Sequence, residues 1–258
     1  MDRQAVTAFL MSLIAGLSTG LGGLIVVFSD GASTAFLSFA LAFSAGIMVT
    51  VSLADLLPTA AAAFVGSYGP GKGAVMLLIP MVMGIFFAQL IDALTPEAAP
   101  SPGEGIDRRK LGRLGVISAA AILLHNLPEG MVTFMAGYTD LSLGLSMMAA
   151  IALHNIPEGM SVSIPIYYST KSRWKAVRAA FLSGMSEPLG ALLTYFLLQP
   201  LLSGLALSAL FSFVAGLMVC IAFGELLPTS RNYGRSGLSL WGTLMGILVM
   251  MLGVVLMG

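Results

Sequence analysis

Charge is scarce in this chain. Only 9% of its 258 residues are Asp, Glu, Lys or Arg, against about a quarter in a soluble domain. With 57% hydrophobic residues, the shortage excludes a water-soluble globular fold. It predicts an all-α integral membrane protein, one transmembrane domain over 1–258. Twelve basic residues balance twelve acidic ones, so no basic surface invites nucleic acid. No glycine-rich phosphate loop is present, which argues against a nucleotide partner and an ATP-driven pump. The single cysteine, Cys220, excludes an internal disulfide and reads as a small packed residue. The N-terminus has neither a strongly basic start nor a small-residue cleavage site, so its apolar run reads as a retained helix. Histidine is almost as rare: there are two, and their placement organises everything below.

What is present in abundance is apolar run length. Spanning the bilayer takes about 20 apolar residues, and eight segments qualify: 5–28, 33–57, 73–94, 114–137, 141–165, 175–198, 202–227 and 237–257. The breaks carry turn chemistry, as in Ser29-Asp30-Gly31 and Gly69-Pro70-Gly71. The longest, 95–113, holds Pro96, Pro100, Pro102 and a basic tail and reads as a flexible loop. The first, third, fifth and seventh connections contain Arg108, Arg109, Lys110, Arg113, Lys171, Arg173, Lys175, Arg178, Arg231 and Arg235. Only Arg3 and Lys72 fall on the other side. Basic residues mark the cytoplasmic face, so both termini are expected outside, in a plasma membrane or a Gram-negative inner membrane. Arg108-Arg109-Lys110 then reads as a topology signal that also touches lipid.

The chain repeats itself. Residues 43–60 read FSAGIMVTVSLADLLPTA and residues 213–230 read FVAGLMVCIAFGELLPTS, with nine of the eighteen positions identical. These segments lie on the second and seventh helices, which cross in opposite directions. Ser18-Thr19-Gly20 in the first helix is echoed by Ser186-Glu187-Pro188 in the sixth. The predicted architecture is three helices, a central pair and three inverted helices. Such inverted repeats place transport sites near the midplane. Gly16/Gly20 and Gly242/Gly246 have the spacing of close helix contacts or of a dimer face.

The central pair carries the motif: His125-Asn126-Leu127-Pro128-Glu129-Gly130 on the fourth helix and His154-Asn155-Ile156-Pro157-Glu158-Gly159 on the fifth. Both histidines of the chain are here. Residues i, i+1 and i+4 share one side of a helix. Each copy therefore converges an imidazole, an amide and a carboxylate, a donor set suited to zinc, iron, manganese or cobalt. Pro128 and Pro157 withdraw the helical partners of the Leu124 and Leu153 carbonyls and predict kinks beside a polar pocket. Glu187 adds a third intramembrane carboxylate. Each costs about 3 kcal/mol at the bilayer centre, and a bound divalent cation offsets that cost. Asp55 and Glu225 are expected at the two mouths, where they would recruit cations. Met48 can offer a thioether to a soft metal, and Asp92 reads as interfacial.

Together these residues resemble the ZIP (Zrt/Irt-like) family of divalent metal transporters, over essentially the whole chain and most closely its bacterial members. The resemblance implies a first metal position at His125, Glu129, His154 and Glu158, with Met48 as a fifth contact. It implies a second at Asn126, Glu129, Asn155, Glu158 and Glu187, the motif glutamates bridging two ions. It further implies helices one, four, five and six moving against two, three, seven and eight, a homodimer, and uptake of zinc, iron, manganese, cobalt or cadmium as substrate rather than resident cofactor. No histidine-rich loop precedes the fourth helix, so loop-based metal feedback is not expected. An exporting metal/proton antiporter would use the same ligands. An intramembrane metalloprotease needs two histidines four apart on one helix, which neither copy provides. Two axial histidines could instead hold haem, but the adjacent carboxylates and prolines disfavour it.

Overall fold

The computed structural model describes residues 2–28, 34–94, 108–198, 204–233 and 236–257; the side chains of 108–118, His125 and a few other positions lie outside that description. All regular structure among the described residues is helical. Helix one is Arg3–Phe28. Helix two runs as Thr34–Val51, a widened π turn over Ser52–Leu56, and Leu57–Tyr68. Helix three is Pro70–Leu94, helix four Arg108–Thr139 and helix five Leu141–Thr170. Helix six is Arg173–Gly184, a turn at Met185, Ser186–Leu193 and a second π turn, Thr194–Leu198. Helix seven is Gly204–Ile221, a third π turn, Ala222–Leu226, and Leu227–Tyr233. Helix eight is Ser236–Met257.

The eight helices match the eight apolar segments, with ends extended. Helix two continues eleven residues past the expected stop at 57, to Tyr68, because Pro58 stands in the first turn of its last segment, where its missing N–H costs nothing. Helix four begins at Arg108, so Arg108, Arg109, Lys110 and Arg113 stand on helical backbone rather than in the 95–113 connection. The rest of that connection lies outside the described residues, as does Arg235. Among the described residues, five helices are long and apolar enough to cross a membrane: one, two, three, seven and eight.

The surface and interior are exchanged relative to a soluble protein. Met83, Phe86, Leu90, Trp241, Leu248 and Val255 are exposed on helices three and eight, as a lipid-facing wall requires. Asn126, Glu129, His154, Asn155 and Glu187 are entirely buried.

Helix pairing follows the repeat. Helix one packs on helices five and six, and helix four on five and six, while helix two packs on eight and helix three on seven. The groups one-four-five-six and two-three-seven-eight meet mainly where helix two lies against helix five. Glycines set these contacts by letting backbones touch. Gly159 abuts the Thr19 backbone and Gly130 the Glu187 backbone. Thr19 and Glu187 are repeat partners, as are the two motif glycines, so one contact is the other turned over. Gly16 and Gly20 close on Gly184 and Phe181, and Gly242 and Gly246 close on Phe39 and Phe43. All four glycines therefore serve close helix contacts within the chain, the first of the two uses their spacing allowed, rather than a dimer face. Cys220 is half-buried and takes a 3.1 Å hydrogen bond from Gln89 Nε2 of helix three, so it is not simply apolar packing.

Helices four and five keep helical backbone through Pro128 and Pro157. The departures from α geometry in helices two and seven lie at 52–56 and 222–226, positions offset by the same 170 residues as the sequence repeat. In each, an N–H reaches back five residues, Leu57 to the Ser52 carbonyl and Leu227 to that of Ala222. Each turn ends two residues before a proline, Pro58 or Pro228, whose ring and missing N–H disrupt the preceding α turn.

Candidate metal site

The site lies about halfway along helices four, five and six. His154 projects from helix five towards helix four. Its Nδ1 stands 3.1 Å from the Ala150 carbonyl. A carbonyl only accepts, so Nδ1 carries a proton and Nε2 is the nitrogen turned to the site. There Nε2 meets Glu129 Oε2 of helix four at 3.3 Å, both side chains fully buried. One member of each motif copy is thereby joined to a member of the other.

A second link crosses to helix six. Asn155 Nδ2 donates to Glu187 Oε1 and to the Ala15 carbonyl of helix one at 3.0 Å. Glu129 and Glu158 both stand near Glu187. Backbone around the motifs is pinned by hydroxyls: Thr133 Oγ1 donates to Glu129 O at 2.9 Å, Ser12 Oγ to Gly130 O at 3.2 Å, and Ser44 Oγ of helix two to His154 O at 3.2 Å. Met48 is fully buried one turn from Ser44, on the face that Ser44 turns to helix five.

Several buried polar atoms make no hydrogen bond: both side-chain heteroatoms of Asn126, the Asn155 amide oxygen, and one oxygen each of Glu129, Glu158 and Glu187. Buried polar atoms are nearly always satisfied, and burying one without a partner costs about 1–3 kcal/mol. All of these atoms except the Asn126 amide nitrogen are oxygens able to face a cation. The set fits a metal chemically, yet among the described residues no three His, Cys, Asp or Glu side chains already converge on one point. The side chain of His125 lies outside the described residues.

Of the residues assigned from sequence, the structure brings His154 to Glu129 and Asn155 to Glu187, and buries Asn126, Glu158 and Met48 around them. Asp55 lies away from this centre, near Ser146 on the first turns of helix five. Glu225 and Asp92 are exposed. The sequence sets Thr19 opposite Glu187 in the repeat without assigning it a contact, and gives Ser52 no role; both are fully buried with hydroxyls that make no hydrogen bond. For Ser52 the only signal was a polar residue inside an apolar span, too common on its own to single it out.

Inverted helical repeats around a buried histidine–carboxylate site define a membrane transporter, not an enzyme. The comparisons narrow this. The family model described as "ZIP Zinc transporter" matches residues 103–258. The chain is 42% identical to the zinc transporter ZupT of Streptococcus mutans, over 99% of both chains. It is 43% identical to ZupT of Chlorobaculum parvum over 99% of both, and 40% identical to ZupT of Lysinibacillus sphaericus over the full length of both. The chain belongs to the ZIP zinc transporter family.

Proposed function

We propose that this protein is a secondary importer of divalent transition metals, zinc first, with iron, manganese, cobalt and cadmium as further substrates. It sits in the plasma membrane (the inner membrane of a Gram-negative cell) with both termini outside, as a homodimer. The observation that carries the reading is the fully buried contact of His154 Nε2 with Glu129 Oε2 across helices four and five. Imidazole nitrogen beside carboxylate oxygen is a transition-metal donor pair, and no apolar environment holds it cheaply without a counter-charge. His125, Glu129, His154, Glu158 and Met48 form one metal position. Asn126, Glu129, Asn155, Glu158 and Glu187 form a second, with the glutamates shared. Helices one, four, five and six carry the ion as a unit past helices two, three, seven and eight. The seam supports this division, since the tight glycine contacts lie within each group.

Metal and protons compete for the site. A 3.3 Å contact between Nε2 and a carboxylate oxygen is held by a proton shared between them or by an imidazolium–carboxylate pair. A metal that takes both atoms displaces that proton. Lowering the pH on the metal-facing side therefore weakens binding, because the proton-bound forms of imidazole and carboxylate do not ligate. The zinc KM should rise as that pH falls from about 8 to about 5, the range in which histidine ordinarily titrates; a flat KM would contradict the ligand assignment.

The deciding experiment is zinc flux into proteoliposomes carrying an internal zinc dye, with the pH set separately on each side. Metal-dependent influx above protein-free vesicles without an imposed proton gradient supports the importer. Flux that requires opposed proton movement favours the exporting antiporter. No flux from folded protein removes the transport reading.

A further inference from the structure

Thr19 breaks a rule that the other fully or nearly buried threonines among the described residues, Thr50, Thr133 and Thr194, all keep. Threonine within a helix ordinarily donates its hydroxyl to the carbonyl four residues back. Thr7, Thr50, Thr133, Thr139, Thr170, Thr194 and Thr243 all do so, to Arg3, Gly46, Glu129, Met135, Ile166, Gly190 and Ser239. Thr19 does not, although it is fully buried. The reason is local. Its acceptor would be the Ala15 carbonyl, and that oxygen already receives Ser18 Oγ and Asn155 Nδ2. In the helix that oxygen also takes the Thr19 N–H, so Ser18 Oγ and Asn155 Nδ2 together occupy the room around it that the Thr19 hydroxyl would otherwise use.

Its surroundings place it beside the site. The Thr19 backbone lies against Gly159, next to Glu158, and its side chain against Gly184, three residues before Glu187. One turn back, Ala15 meets Asn155. Four residues of helix advance about 6 Å, so the hydroxyl lies one turn towards the Phe28 end from the Asn155–Glu187 link. In the inverted repeat its counterpart is Glu187 itself. The six other side chains left with unsatisfied buried atoms include five of the residues assigned to the metal positions and Ser52.

We infer that Thr19 is a further substrate contact: its hydroxyl oxygen is a neutral donor to the metal on the helix-one side of the second position, next to Glu158 and Glu187. This deepens the transport reading and rests on it. A neutral alcohol oxygen is a hard donor. It favours manganese and other oxygen-preferring ions over cadmium and leaves charge balance to the carboxylates.

The test is zinc uptake by wild type, Thr19→Val and Thr19→Ser in proteoliposomes, with manganese and cadmium as competitors. Valine keeps the shape and removes the oxygen; serine keeps the oxygen. Thr19→Val should raise the zinc KM about fivefold, the scale of one lost neutral donor, with maximal rate within about twofold. Manganese should lose competitive strength against cadmium, and Thr19→Ser should behave as wild type. Should valine prevent folding, Thr19→Ala carries the same expectation. An unchanged KM and metal order in the valine or alanine protein overturns the inference, and so does a serine protein as impaired as valine. Absence of wild-type flux would instead overturn the transport reading beneath it.

Discussion

Zinc uptake by Glu158→Ala should fall to the level of protein-free vesicles while the protein still inserts and folds. Glu158 is 1% exposed on helix five, and both proposed metal positions use it. Alanine removes a charge that costs about 3 kcal/mol to hold at the bilayer centre, so the empty protein loses little stability. What disappears is the charge that lets a dication leave water. Losing one buried charged partner costs about 3–5 kcal/mol, a factor of about 150 to a few thousand in affinity. Thermal melting with and without zinc separates the two effects. The midpoint of the metal-free variant should match or exceed wild type, and the zinc-induced rise should vanish. Near-normal uptake would sink the assignment of helix five.

The second large effect concerns Gly159. A Cβ built there meets the Thr19 carbonyl far inside van der Waals contact, and its other near neighbours are also Thr19 backbone atoms. Backbone cannot rotate aside as a side chain can, so helices one and five must separate. Overpacking costs about 1–3 kcal/mol even where side chains can yield, and Gly159→Ala should reach the upper end. Gly66 supplies the control, since nothing lies within 4 Å of its Cβ position. Alanine there should be neutral or stabilising by up to about 1 kcal/mol through helix propensity. In detergent, Gly159→Ala should melt several degrees below wild type and transport little, and Gly66→Ala should do neither. Equal melting of the two would mean that the helix-one contact is looser than the geometry indicates.

Much of this could be read from the chain because membrane chemistry exaggerates the relevant signals. Eight helices appear as eight apolar runs since lipid offers no partner for an open backbone. The motif stands out because imidazole and carboxylate are costly where they lie. Less legible was what depends on neighbours in space. The doubled prolines drew attention to Pro128 and Pro157, whereas the widened turns precede Pro58 and Pro228. The glycine pairs of helices one and eight had the right spacing for close approach, but spacing does not say whether the approaching helix belongs to the same chain. Thr19 could not be picked out either. Its hydroxyl is displaced by Ser18 and Asn155 acting on one carbonyl, and Asn155 is 136 residues away along the chain.

The matched widened turns at 52–56 and 222–226 also set which sides of helices two and seven meet their neighbours. Each turn holds one residue more than an α turn. One residue of α-helix corresponds to about 100° of rotation. Beyond Pro58 and Pro228 each helix therefore presents a different side from the one an unbroken α-helix would present, and the two halves of the repeat make this change at the same register.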